Sequence, residues 1–262
     1  MPNRDDGAVL ITGASAGIGR AFANAYARRG HDLVLVARRE EPLQEVADIL
    51  SASQSIKALT LSADLSDPAA PKRLWQEVED RGISIKTLIN NAGFGVPGNL
   101  CDVNWARHRA TIEVMATAPV HLTQLFAPSM VRQGGGEIIN VASLSALLPP
   151  HAGGTLYYPV KSFLYQFSLA IREELRSGGV HVTALCPGFT ETSFQKAAGG
   201  SVESVEVPRW MWSRPEDVAR VAIAAVERNK AVCVPGLLNK VIATGFKLMP
   251  GPLGRWLVRS DA

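Results

Sequence analysis

Thr12-Gly13-Ala14-Ser15-Ala16-Gly17-Ile18-Gly19 is the stretch whose reading decides the fold. An apolar run at residues 8–11 precedes it and has the length of a buried strand. Residues 18–29 follow with helical spacing and stop at Gly30, a usual position just past a helix C-terminus. In a strand–turn–helix of this kind the glycines allow a sharp turn and a close approach. The helix N-terminus adds free N–H groups and a positive dipole end, which together suit a pyrophosphate. A plain tight turn would also use three glycines in a G-x-x-x-G-x-G spacing, so the rest of the chain must decide.

Working outward, short apolar runs alternate with helical stretches. Strands are expected at 31–37, 58–62, 87–89, 137–141, 180–186 and 231–234, and helices at 41–51, 71–81, 105–133, 157–176 and 213–229. Ser213 and Glu216 have capping-box spacing, with Pro215 in the first turn. Strands apolar almost throughout, joined by crossovers of helical length, predict a parallel sheet covered on both faces. The fold class is therefore α/β, doubly wound (Rossmann-type), and its ligands belong beyond the carboxyl ends of the strands.

Composition narrows the function. With 47% hydrophobic and 19% charged residues in 262, the chain suits a globular protein, read as a single domain over 1–262. A net charge of +3 without a block of like charges argues against nucleic acid as a partner. Cys101, Cys186 and Cys233 lack metal-ligand spacing and fit a reducing compartment, and the five histidines show no ligand spacing, so no metal is expected. The polar N-terminus and the lack of a long uncharged apolar stretch point to the cytoplasm.

Six segments recur in order at the predicted strand ends. They are Thr12-x3-Gly17-Ile18-Gly19, Asp64-Leu65, Asn90-Asn91-Ala92-Gly93, Asn140-Val141-Ala142-Ser143, Tyr157-x3-Lys161 and Pro187-Gly188-x3-Thr192. In this the chain resembles the short-chain dehydrogenase/reductase family over nearly its whole length. The resemblance implies a seven-stranded parallel sheet with a nicotinamide dinucleotide lying across the strand ends. It places Gly13, Ser15, Gly17, Ile18 and Gly19 at the pyrophosphate. Asp64 would accept from the adenine amino group and Leu65 would line that pocket, with Asn91, Ala92 and Gly93 near the adenine ribose. Pro187 and Gly188 would border the nicotinamide, and Thr192 would hold its carboxamide or the pyrophosphate. Asp64 also reads as a capping or turn residue, and Pro187-Gly188 as a plain turn.

The end of the second strand speaks to the cofactor. A carboxylate there would accept from a ribose diol and repel a 2′-phosphate. Ala37 holds that place, and Arg38 after it can fork onto a phosphate, so NADP(H) is expected. Solvated charges at Arg38 and Arg39 are the plainer alternative.

Reduction of a carbonyl by hydride leaves an alkoxide that needs a proton. A free tyrosine, with a pKa of about 10, is a poor base near neutrality, and a nearby cation favours its phenolate. Lys161 lies four residues after Tyr157, on the same helix face. Tyr157 is thus the expected acid/base, and the resemblance also gives Lys161 a hydrogen bond to the nicotinamide ribose. Ser143, at a strand end, would donate to the substrate oxygen, with Ser145 as the less favoured substitute. Tyr158 has Ser162 rather than a lysine four residues on, which favours Tyr157. The alternative for Tyr157 is an amphipathic core residue at a helix start.

One departure from the family stands out. Where the family carries an asparagine that holds a water between the lysine and solvent, Met115 stands here, and a thioether makes no strong hydrogen bond. Either another group such as Thr117 serves the proton path, or turnover is slow, or catalysis is lost. Residues 191–212 are expected to form a substrate lid, with Gly199, Gly200 and Trp210-Met211-Trp212 suiting a cover over an apolar ligand. Phe94, Leu144, Leu147 and Leu148 are candidate pocket walls.

The apolar, basic tail 235–262 reads first as a subunit contact or pocket cover, and only then as a membrane-surface segment. Prolines at 250 and 252 exclude one long helix there. The leading reading is an NADP(H)-dependent oxidoreductase acting on an apolar carbonyl or secondary alcohol, as a homodimer or homotetramer. An NADP(H)-binding sensor or scaffold is the alternative, and a lipid-surface protein is third.

Overall fold

In the computed structural model, which describes residues 7–96, 98–149, 156–192 and 208–248, every residue of the first two strands is buried. These strands, β1 (Ala8–Thr12) and β2 (Leu33–Ala37), lack the polar/apolar alternation of a half-solvated sheet, so both their faces need cover. The others are β3 (Ala58–Ser62), β4 (Ile85–Asn90), β5 (Gly136–Val141), β6 (Val180–Leu185) and β7 (Val232–Cys233). All neighbours pair in parallel, in the order β3-β2-β1-β4-β5-β6-β7.

The helices are α1 (Gly17–Ala27), α2 (Glu40–Gln54), α3 (Ala70–Asp80), α4 (Trp105–Ile112), α5 (Ala118–Arg132), α6 (Tyr157–Leu175), α7 (Pro215–Glu227) and α8 (Leu237–Leu248). Two apolar layers sandwich the sheet. One joins α1, α2 and α7 through Phe22, Leu43, Val46, Ala222 and Val226. The other joins α3, α5 and α6 through Leu74, Leu122, Phe126, Met130 and Leu175. Burying a side chain such as Phe22 or Leu122, neither of them exposed at all, is worth about 1.5–3 kcal/mol. The strand order reverses between β1 and β4, so the loops that leave these two strands bound one crevice.

Two expectations are corrected. The single helix over 105–133 is interrupted, because a π-helical turn, Glu113–Thr117, separates α4 from α5. Pro119 explains it: without an N–H it cannot donate to the carbonyl of Met115 four residues back, and the ladder widens instead. Ser213 does not cap α7. Its backbone is extended and bridges to Thr190, taking a hydrogen bond from Glu191 N and giving one to Phe189 O, while Arg214 is the N-cap with no side-chain bond. In the tail, Pro235 and Gly236 precede a helix, α8, which lies before the prolines at 250 and 252. Most of the expected lid (193–207, with Gly199 and Gly200) and the end of the tail (249–262) lie outside the described residues.

Candidate active site

The glycine turn closes on itself with little room. Gly13 has φ +68°, and a Cβ there would sit 2.8 Å from Asn91 Nδ2. A Cβ on Gly19 would lie 2.2 Å from the carbonyl oxygen of Gly13. Asn91, just past β4, locks the turn by donating its side-chain amide to the carbonyls of Thr12 and Gly13, at 2.8 and 3.2 Å. Thr12 answers from β1, its Oγ1 accepting from the N–H groups of Asn91 and Ala92 at 2.9 and 3.0 Å. These bonds explain why Asn91 and Ala92 lie beside the turn.

No side chain caps the N-terminus of α1, and its first turn holds no acidic residue. The positive end of that helix, with Ser15 and Ile18 at the turn, therefore fits an anionic ligand group such as a pyrophosphate. Thr192 borders the same turn, since a Cβ on Gly17 would meet its Cγ2 at 2.9 Å. A cavity of about 650 Å³ opens here, lined by Ser15, Gly17, Arg20, Asn24 and Thr192 among others.

Arg38 is exposed just past the end of β2, and its guanidinium has no ion pair among the described residues. Asp64 follows β3, and its Oδ1 accepts from Ser66 N and Ser66 Oγ at 2.9 and 2.8 Å. It is thus a turn-former, whatever else it binds. Leu65 is buried beside it in the second apolar layer.

At the end of β5 the chemistry-bearing side chains meet. Ser143 caps the short 3-10 turn Leu144–Leu147 by accepting from Ser145 N at 3.1 Å, and it is hydrogen-bonded to Tyr157. Lys161, buried one turn along α6, donates from Nζ to the carbonyl of Val141 at 2.6 Å and lies 5.9 Å from the Tyr157 ring centroid. Tyr158 stands edge-on to Tyr157, with ring centroids 6.0 Å apart. The three expected residues of the chemistry are therefore together.

Their acidities differ from the expectation. Burial pushes the Tyr157 hydroxyl up, against the opposing hydrogen bond from Ser143. Burial also brings Lys161 down to about 8. The expected lowering of Tyr157 by the lysine is absent, and the ammonium donates to Val141 instead.

Gly93 packs tightly between two side chains of the site. A Cβ there would sit 3.1 Å from the Met115 sulfur and 3.8 Å from Lys161 Nζ. Met115, buried in the π-helical turn, thus borders Gly93 together with the lysine. Phe94 follows, with the guanidinium of Arg107 5.3 Å from its ring centroid. Pro187 accepts from Leu144 N at 2.8 Å, which ties its loop to the Ser143 turn.

Some of the supporting frame had no sequence signal. Asn239 is buried beneath Gly188, where a Cβ would lie 2.7 Å from its amide, and it donates to the carbonyl of Pro235 at 2.8 Å. Asn90 donates to Asn140 at 2.8 Å and Asn140 to Ser168 at 2.9 Å, a buried chain linking β4, β5 and α6. The paired asparagines of adjacent strand ends were visible in the motifs; Ser168 and Asn239 were not. Among the described residues no cluster of metal-ligating side chains occurs.

Known proteins share this fold. Residues 7–201 match the family model for the short chain dehydrogenases. Sulfoacetaldehyde reductase 2 of Chromohalobacter salexigens is 34% identical over 218 residues, covering 81% of this chain and 85% of its own. A short-chain dehydrogenase from Sphingobium yanoikuyae, solved in complex with NADPH, is 30% identical with a TM-score of 0.82, covering 98% of this chain and 97% of that one. The bulky-bulky ketone specific alcohol dehydrogenase from Comamonas testosteroni is 26% identical with a TM-score of 0.77, over the same shares of the two chains. With a family model spanning most of its length, the chain belongs to the short chain dehydrogenases and is an oxidoreductase of that family.

Proposed function

We propose that the protein is an NADP(H)-dependent oxidoreductase that interconverts a carbonyl compound and its secondary alcohol, with Tyr157 as the acid/base. The observation that carries this reading is the hydrogen bond between Ser143 and Tyr157, with Lys161 buried behind it. When bound, the nicotinamide supplies or accepts a hydride. In reduction, Tyr157 gives its proton to the carbonyl oxygen; in oxidation its phenolate takes that proton back. The Ser143 hydroxyl donates to the same oxygen and stabilises its developing charge. Lys161, a cation near neutrality, lies behind Tyr157 and holds the nicotinamide ribose. Arg38 pairs with the 2′-phosphate and the α1 N-terminus faces the pyrophosphate, while Thr192, Pro187 and Gly188 border the nicotinamide end. Asp64, Leu65 and Asn91-Ala92-Gly93 frame the adenosine.

The NADPH held by the Sphingobium relative supports the cofactor choice, and the bulky ketone of the Comamonas enzyme's name supports an apolar carbonyl substrate. Residues 191–212 act as the lid, and the Phe189–Trp212 ring pair, with centroids 5.6 Å apart, anchors its described end. A cytoplasmic homodimer or homotetramer completes the reading. The Met115 thioether, which borders Gly93 together with Lys161, favours one second reading, a cofactor-binding sensor with little turnover.

A carbonyl panel with NADPH, read as loss of its absorbance, separates the two. Turnover on apolar ketones or aldehydes is expected. Tight NADPH binding without turnover on any member assigns the sensor role instead.

A further inference from the structure

The outward face of α8 is apolar where a helix facing only water would be polar. Leu237 is 79% exposed, Val241 61% and Leu238 36%. The other face carries the helix's attachment: Asn239 is buried beneath Gly188, and Ile242, Ala243 and Phe246 are half-buried. The packing thus leaves a short apolar stripe outside, with the exposed Lys240 beside it.

Charge is segregated in the same part of the chain. From residue 228 to 260 there is no aspartate or glutamate, while Arg228, Lys230, Lys240, Lys247, Arg255 and Arg259 are basic. The whole chain carries only +3, so this segment alone exceeds the net charge of the protein. The site is close by. α8 packs against the 3-10 turn that begins after Ser143, and Asn239 supports the Pro187-Gly188 loop. The next residue, Phe189, is 40% exposed, and Trp210, near the end of the lid segment, is 72% exposed.

We infer that α8 is an interfacial helix that seats the protein on an anionic lipid surface, apolar stripe down and basic residues around it. A second copy of the chain complements this face poorly. It would bring lysines against lysines, with no carboxylate in the segment to pair them. The tail beyond the helix carries the same sign of charge through Arg255 and Arg259 and complements it no better. Anionic headgroups supply the missing countercharge. The helix lies on the bilayer rather than through it, since among the described residues no helix is long and apolar enough to cross. Seated so, the protein has its substrate side next to a store of lipophilic carbonyl compounds. The membrane contact itself does not depend on the proposed catalysis.

Flotation of the full chain with vesicles tests this. The protein is expected to bind phosphatidylcholine vesicles containing about a third phosphatidylglycerol, not pure phosphatidylcholine, and to be released by high salt. Lys240→Glu is expected to weaken binding at least about fivefold, the worth of one basic residue near such a surface. Leu237→Ser/Val241→Ser is expected to abolish binding while leaving the melting temperature and NADPH affinity unchanged. Failure of the wild-type chain to bind anionic vesicles overturns the inference. So does a wild-type oligomer that falls apart in the double serine variant without any vesicle binding, which would make a second copy the occupant.

Discussion

The Lys161 ammonium donates to the Val141 carbonyl across 2.6 Å, in surroundings dry enough to bring its pKa down to about 8. An unfolded lysine holds its proton to about 10.4, so between these values the unfolded chain binds the extra proton. Stability from this group therefore rises with pH across that window, the reverse of a lysine with an acidic partner. Against Lys161→Met, the wild-type protein should gain on the order of 2–3 kcal/mol between pH 7 and pH 10. Urea midpoints of both proteins at the two pH values measure it, and a gap that narrows with rising acidity rather than alkalinity would contradict the assignment.

Tyr157 and Ser143 share a hydrogen bond, yet their proposed roles differ. Tyr157→Phe removes the only proton donor assigned to the reaction and should lower kcat by about 10²–10⁴-fold while NADPH still binds. Ser143→Ala should cost less in proton transfer but raise the acidity problem of Tyr157, because the hydrogen bond that opposes burial is lost. Its alkaline limb in kcat/KM should move to higher pH. An unchanged limb would separate Ser143 from the tyrosine.

The exposed Arg38 follows Ala37, whose side chain is nearly buried at the end of β2. Ala37→Asp/Arg38→Ile replaces a phosphate partner with a diol acceptor. A charged hydrogen bond is worth about 1.5–3 kcal/mol, so the NADPH-to-NADH ratio of kcat/KM should fall by about 10- to 100-fold. A ratio that stays put would leave the arginine as a solvated charge.

These predictions rest on residues of unequal legibility. The glycine turn, Asn91, Ser143, Tyr157 and Lys161 announce themselves because each function needs a residue type at fixed spacing from a strand end, and the spacing survives in one dimension. The π-helical turn does not, although its cause, Pro119, was in plain sight; whether a proline ends, kinks or widens a helix depends on what packs around it. Asn239 reaches Gly188 from fifty-one residues away in the chain, a meeting set by how α8 docks and by no local pattern. The acidity of Tyr157 was misread for a related reason: i,i+4 spacing puts Lys161 on the same face, but burial and the carbonyl of Val141 decide where the charge goes.

Two glycine replacements should act in opposite directions. Gly19→Ala drives a methyl to 2.2 Å from the Gly13 carbonyl, a backbone atom that cannot swing away. A loss of about 1–3 kcal/mol and of NADPH binding is expected. Gly245→Ala, within α8, meets nothing within 4 Å and should stabilise the helix by up to about 1 kcal/mol. Equal melting temperatures for the two variants would refute the packing described for the turn.

Glu137 sets the last test, at the far side of the sheet from the chemistry. It stands on β5 between Thr87 of β4 and His181 of β6, and Thr87 Oγ1 donates to its Oε2 at 3.2 Å. Burial raises its pKa, helped by the charge of Glu227 and opposed by Thr87, His181 and Tyr26. The folded state therefore keeps this proton to higher pH than the unfolded chain does. Stability from the group is full below the unfolded carboxylate range and is lost as pH rises through the folded value. At pH 7 the wild-type protein carries that penalty and Glu137→Gln does not. The variant should melt higher than the wild type at pH 7 but not at pH 4. Thermal melts of both proteins at the two pH values decide it. An advantage confined to pH 4 would mean that Thr87 and His181 hold the carboxylate charged and that burial is the weaker effect.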